Sequence, residues 1–396
     1  MISRRQLFLQ HVGQTSDSPL QLEIQNAKGI YMYDTNGKSY IDLISGVSVS
    51  NVGHLHPRVV NAVKEQAEKY MHLMVYGEYI QTPQVEFARK LSKLLPDELT
   101  STYFVNSGSE AIEGALKLAK RYTGRGEIIA FENAYHGSTH GALSIMGSEE
   151  FKNSFRPLLP GVKHIKFNIE EDLERITEET ACVVIEPVQG EGGIRLPEND
   201  YLLKLRNRCD EKGALLIFDE IQTGFGRTGS LFAMHEFGVT PDIVAIAKAM
   251  GGGMPIGAFV SSNEIMSVFK TNPILGHITT FGGHPVSCAA ANASLDVILE
   301  ENIIADVKRK GELFKKYLKH PAIKEIRGIG LFMAVELKDF DQVKSVIDKM
   351  IEKGVVTDWF LFHDSAFRIA PPLIITDDEI VKACELINEA INEVCN

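Results

Sequence analysis

The sequence predicts an α/β protein, with a large domain on a mainly parallel sheet flanked by helices and a smaller α+β domain after it. Two observations carry that expectation. From about residue 57, short apolar runs alternate with stretches of helical period, as parallel strands joined by crossover helices do. Near residue 295 this texture gives way to charged helices interleaved with a few short strands. The division expected is a lead over residues 1–50 that packs with the small domain, a large domain over 51–292 and a small domain over 293–396.

The elements follow in order. KGIYMYDTNGKSYIDLI reads as two strands around a turn at Asn36-Gly37. HPRVVNAVKEQAEKY is helical, with Pro57 in its first turn. TYFVN, EIIAF, ACVVIEP, ALLIFDE and DIVAIA are strands, and EAIEGALKLAKRY and YLLKLRNRCDEKG are helices between them. GLFMAVEL is a strand, FDQVKSVIDKMIEKG a helix and FRIAPPLII a last strand. A final helix opens on the capping box Thr376-Asp377-Asp378-Glu379.

The chain has 396 residues, 44% hydrophobic and 23% charged, an ordinary globular balance with length for more than one domain. A formal charge of -11 repels nucleic acid and anionic membrane surfaces, and no apolar run is long enough to span a bilayer. Ser3 to Leu9 carries a twin arginine, but QHVGQTSDSP stands where an export signal needs an apolar stretch. Five scattered cysteines argue against a disulfide framework or a structural zinc site and point to the reducing cytoplasm.

Lys248 lies in AIAKAMGGGMPIGA, a run otherwise small and apolar. Lysine is rarely buried unpaired, and desolvation turns its ammonium into a nucleophilic amine. Ligands of open α/β sheets bind at the carboxyl ends of strands. There, TYFVN runs through Ser107, Gly108 and Ser109 into a helix whose free amides suit a phosphate, a plain helix cap being the alternative. Tyr135 and His136 follow EIIAF, where the aromatic suits stacking on a planar ring or core packing. Glu186 ends one strand and Asp219-Glu220 another, and acids there need cationic partners. An amine, an acid, a phosphate cradle and an aromatic face together complement pyridoxal 5'-phosphate.

At this point a resemblance becomes specific. GHLHP (53–57), NSGSEA (106–111), YHG (135–137), EPVQGEGG (186–193), FDEIQTGFGRTG (218–229), AKAMGGGMPIGA (247–258) and TTFGGHP (279–285) occur in the order found in class III (subgroup II) pyridoxal-phosphate-dependent aminotransferases of fold type I. The resemblance covers most of the chain. It implies that Lys248 bonds covalently to the coenzyme, that Asp219 pairs with its ring nitrogen and that Gln222 reaches its ring hydroxyl. Ile221 and Tyr135 would flank the ring, and Gly108 and Ser109 would hold the phosphate. Thr280 would reach that phosphate from a neighbouring subunit, which implies a homodimer with shared sites. Glu191 and Arg368 resemble a gated pair in which the arginine binds a substrate carboxylate and the glutamate neutralises it otherwise. The implied reaction is ping-pong transfer of an amino group to a 2-oxo acid, 2-oxoglutarate or pyruvate.

The amine donor is read from three departures. Relatives acting on ornithine or acetylornithine carry an arginine after the aromatic-x-Gly loop, where this chain has Ser138. Val47 occupies the position of a tyrosine in ornithine aminotransferases, and residues 141–161 resemble the putrescine branch. A terminal amine is expected, with ornithine, acetylornithine, diamine and 4-aminobutyrate-like donors open. An aminomutase or racemase on the same fold is the alternative. A nicotinamide oxidoreductase is the distant one, since GFGRTG at 224–229 matches a dinucleotide pattern but neither follows a strand directly nor opens a helix. His54, His56, His136 and His140 have metal-like spacing without clustered acids or cysteines, so no metal is expected.

Overall fold

The computed structural model describes residues 2–395. Seven strands form the large sheet, in the order Ser101–Val105, Gly257–Ser261, Ile243–Ile246, Leu215–Asp219, Thr180–Ile185, Glu127–Phe131 and Val162–Ile165. All are mutually parallel except Gly257–Ser261, which runs antiparallel to both neighbours. Thr180–Ile185 and Leu215–Asp219 are buried at every residue, as strands covered on both faces must be. Ile185 and Phe218 pack on one face with Leu205 and Leu295, and Val184 and Ile217 on the other with Ile112 and Leu116.

The smaller sheet is antiparallel, in the order Glu325–Ile329, Phe332–Glu336, His363–Ile369 and Trp359–Phe360. Its core joins Met333, Val335 and Phe367 to Val346 and Ile387 of the helices Phe340–Lys353 and Asp377–Cys395. That last helix opens on the reciprocal bonds between Thr376 and Glu379. Near the N-terminus, the hairpin strands Tyr31–Asp34 and Ser39–Asp42 pair antiparallel, and the second pairs in parallel with Val355–Val356. Ile30, Ile41 and Leu43 enter the same core.

Two differences from the sequence reading have physical causes. The strand expected across FRIAPPLII stops at Ile369, because Pro371 and Pro372 lack the N–H that a ladder requires. The flanking amides turn to the segment around residues 43–51 instead, Ala370 N–H donating to Leu43 O at 2.7 Å and Leu373 N–H to Asn51 O at 2.8 Å. The helix Pro285–Glu300 runs unbroken through residues 292 and 293, where a boundary was expected. Leu295, Val297 and Ile298 keep it in the large core, and the chain re-enters the smaller core at Val307.

GFGRTG forms turns, and its arginine is a buried cross-tie. Arg227 Nη1 donates to Leu331 O at 3.0 Å and Pro371 O at 2.6 Å, and Nη2 donates to Ser45 Oγ at 3.2 Å and to Asn51 Oδ1. Four acceptors from distant segments therefore meet on one guanidinium, whose pKa burial lowers to about 9. Arg227→Ala is expected to destabilise the fold by about 3 kcal/mol, since each buried acceptor left unpaired costs roughly 1–3 kcal/mol; urea unfolding measures it.

Candidate active site

The strands of the large sheet deliver their last residues to a cavity of about 410 Å³. Its lining includes Ser107, Gly108 and Ser109 after one strand, Tyr135 and His136 after another, Glu186, Asp219, Ile221 and Gln222 after two more, and Lys248. The carboxyl edge of a parallel sheet is where such a site is expected.

Lys248 follows Ile243–Ile246 by one residue and starts a tight turn with φ of 47°. Left-handed backbone in a non-glycine residue is strained, and such strain gathers at functional sites. Burial brings the amine down to about 8; Glu191, Asp219 and Glu186 act against that shift and Arg368 adds to it.

Below the amine is a buried group of titratable side chains. Asp219 Oδ2 lies 2.7 Å from His136 Nδ1, and Asp219 Oδ1 accepts Ile221 N–H at 3.1 Å. Burial opposes charge on His136, but the bond and attraction to Asp219 outweigh it and hold its pKa above the ordinary histidine range. Burial lifts Glu186 to about 7, although it accepts Tyr135 N–H at 3.2 Å and Gly190 N–H at 3.1 Å. Glu220, the neighbour of Asp219, turns away, accepting Ala233 N–H at 2.8 Å and Met234 N–H at 2.7 Å. Of these two adjacent acids, only Asp219 lines the cavity.

The helix Gly108–Thr123 starts at the cavity, and Ser107 is its cap, accepting Glu110 N–H at 3.2 Å. The cap and an anion site coexist, because the first-turn amides of Gly108 and Ser109 have no intrahelical partner by geometry. Ser109 Oγ accepts Ser138 N–H at 3.1 Å. Small residues are required around it. A Cβ on Gly108 would lie 2.8 Å from Ile221, and one on Gly137, at φ +125°, would lie 1.9 Å from Ser109 Oγ.

Glu191 and Arg368, 177 residues apart, form a buried ion pair in which Nη2 donates to the two carboxylate oxygens at 2.9 and 3.1 Å. Gln222 links both partners, donating to Glu191 at 3.3 Å and accepting from Arg368 Nη1 at 3.3 Å. Leu361 N–H donates to Glu191 at 3.1 Å, and Asp358 accepts Arg368 Nε at 2.9 Å. Burial works against the Glu191 carboxylate, yet Arg368 keeps its pKa below the usual range. Asp358 had no signal in the sequence, lying in a short turn between strands. Val49 also lines the cavity, whereas Val47, at φ 62° in the same turn, does not. Thr280 is exposed and outside the cavity lining.

The residues fit pyridoxal phosphate on their chemistry: a neutralisable amine, a buried carboxylate, a helix start and a glycine-lined approach meet in one cavity. These are the groups of a pyridoxal-phosphate-dependent enzyme. The family model for class III aminotransferases matches residues 12–391. The chain is similar to the acetylornithine aminotransferase of Methanocaldococcus jannaschii, 42% identical over 95% of this chain and 94% of that one. It is similar to that of Methanopyrus kandleri, at 41% over 92% of each. The ornithine aminotransferase of Toxoplasma gondii, a structure described with partially occupied pyridoxal phosphate, matches at TM-score 0.91 and 33% identity over 98% of this chain and 93% of that one. The chain belongs to the class III aminotransferases, adopts their fold type I architecture and transfers amino groups with pyridoxal phosphate. These relatives do not favour the isomerase alternative, and the turns of GFGRTG remove the dinucleotide one. No helix among the described residues is long and apolar enough to cross a membrane.

Since only the uncharged amine condenses with an aldehyde, covalent uptake of pyridoxal phosphate by coenzyme-free protein is expected to rise about ten-fold per pH unit below 8 and level off above it. Stopped-flow absorbance against pH measures this, and a profile flat from pH 6 to 9, about two units below and one above that value, contradicts the assignment.

Proposed function

We propose that the enzyme moves an amino group from a donor whose reacting amine is terminal, of the acetylornithine, ornithine or diamine type, to 2-oxoglutarate or pyruvate by a ping-pong mechanism. The closed Glu191–Arg368 pair carries this reading. It neutralises the arginine nearest in its effect on Lys248, so an amine without a carboxylate at its reacting end meets no bare charge from that pair. Ser138, exposed and bonded to Tyr135 Oη at 3.2 Å, adds no charge on the adjoining loop. The names of the curated relatives point to the same donor class.

Bound here, pyridoxal phosphate supplies an aldehyde carbon for the donor amine and a protonated ring that accepts electrons from the donor carbon. Lys248 Nζ holds the coenzyme and, once released, takes the proton from the carbon bearing the donor amine. The Asp219 carboxylate keeps a proton on the ring nitrogen, and His136 fixes that carboxylate's orientation. Glu186 fixes the loop carrying Tyr135 and His136 by accepting the Tyr135 N–H. Tyr135 and Ile221 would flank the ring, Gln222 would reach its hydroxyl, and the Gly108 and Ser109 amides would hold the phosphate at the helix start. Val47 shares the turn of Val49, which lines the cavity, so we assign it a place near the donor's tail. Glu191 yields Arg368 to the carboxylate of the oxo acid.

Thr280 completes the phosphate site of a second copy in a homodimer. Exposed Ile274, Leu275, Ile278 and Phe281 around it support burial against such a copy. Five free cysteines, four of them buried, suit the reducing cytoplasm, to which we assign the enzyme.

Lys248→Ala is expected to lower turnover by about 10⁴-fold, because both the covalent anchor and the proton carrier are lost. A coupled assay with a donor panel (acetylornithine, ornithine, putrescine, 4-aminobutyrate, aspartate) against pyruvate and 2-oxoglutarate tests the substrate class. Terminal amines should exceed aspartate by about ten-fold or more in kcat/KM; a preference for aspartate sinks the reading.

A further inference from the structure

The two partners of the Glu191–Arg368 pair are held in different ways. Arg368 belongs to the strand His363–Ile369, and its own N–H donates to Asp358 O at 2.9 Å across the hairpin. The Asp358 carboxylate accepts Nε at 2.9 Å, and the Phe360 ring lies 4.7 Å from the guanidinium carbon. These contacts come from one hairpin and occupy the Nε edge and one face of the guanidinium. Glu191 sits on a loop of the other sheet and takes the Nη2 edge, while Gln222 accepts from Nη1 at 3.3 Å. The Glu191 carboxylate also accepts Leu361 N–H and a longer bond from Gln222, and its backbone carbonyl accepts Phe362 N–H at 3.1 Å.

We propose that Asp358 is a positioning residue for Arg368: it keeps the guanidinium aimed into the site after Glu191 gives way to a substrate carboxylate. The inference rests on the carboxylate exchange described under the proposed function and adds the side chain that holds the arginine during it. An arginine has several rotatable bonds, and a carboxylate binding to its Nη2 edge must order them unless another contact already does. While Glu191 is in place the arginine carries two acids. Once Glu191 leaves, Asp358 is the remaining acid of that pair on the protein side, so its truncation weighs on the carboxylate-bearing substrate.

Enzyme loaded with pyridoxamine phosphate is reacted with pyruvate and, separately, with propanal, a three-carbon aldehyde that has no carboxylate. Asp358→Ala is expected to lower the pyruvate-to-propanal efficiency ratio about ten-fold, mainly through the half-saturating pyruvate concentration. Asp358→Asn keeps an acceptor for Nε and should restore the ratio to within about three-fold of the unmodified enzyme. Calorimetric titration of the holoenzyme with propionate should show the same order of affinities. A ratio unmoved by Asp358→Ala, or an equal loss with pyruvate and propanal, overturns the proposal. Glu191→Gln tests the underlying exchange by itself. Propionate should bind that variant more tightly, and an unchanged affinity removes the exchange reading whatever Asp358 does.

Discussion

The rest of the structure depends on the removal of one amine from water. Lys248 stands where an apolar parallel strand ends, on strained backbone, and burial lowers its affinity for a proton. An ammonium in that place would be costly, and a free amine is reactive. The same desolvation acts on the acids around it. Glu186 and Glu220 are each lifted to about 7, while Asp219 has the His136 imidazole as its partner. Charge survives at this sheet edge only where a specific partner meets it.

That constraint explains the division of labour between neighbours. Asp219 and Glu220 are adjacent, yet strand alternation sends one toward the cavity and the other into the amides of Ala233 and Met234. Arg368 is buried completely and carries Glu191, Asp358 and Gln222 on its three nitrogens. Arg227, also buried, has backbone and side-chain oxygens instead. It belongs to the cross-links of the fold, and its motif, read alone, resembles a nucleotide loop. Two buried arginines thus differ in their settings, because one meets two carboxylates and the other meets backbone and uncharged side-chain oxygens.

The large and small sheets contribute different things to the site. Strand ends of the large sheet supply the amine, the acid and the helix start, all on rigid elements. The smaller sheet supplies Arg368 and the hairpin that surrounds it, while Glu191 reaches across from the other side. The ion pair therefore joins the two sheets.

Much of this was legible in the amino-acid order. A lysine inside a small apolar run, acids closing apolar strands and hydroxyls opening a helix are local patterns, and periodicity with turn and cap signals located the buried central strands and several helices, though not the helix Thr82–Leu94 or the strand Gly257–Ser261. The motifs then identified the family and, through it, residues such as Gln222 and Arg368 that carry no local mark. Tertiary structure decided what depends on distance across the chain. It turned Glu220 toward the amides of Ala233 and Met234, ended the last strand at the prolines, ran a helix through an expected boundary and brought Asp358 to Arg368. Local order is written in periodicity and chain stiffness, whereas the pairing of charges is set by which segments the cores bring within hydrogen-bond reach.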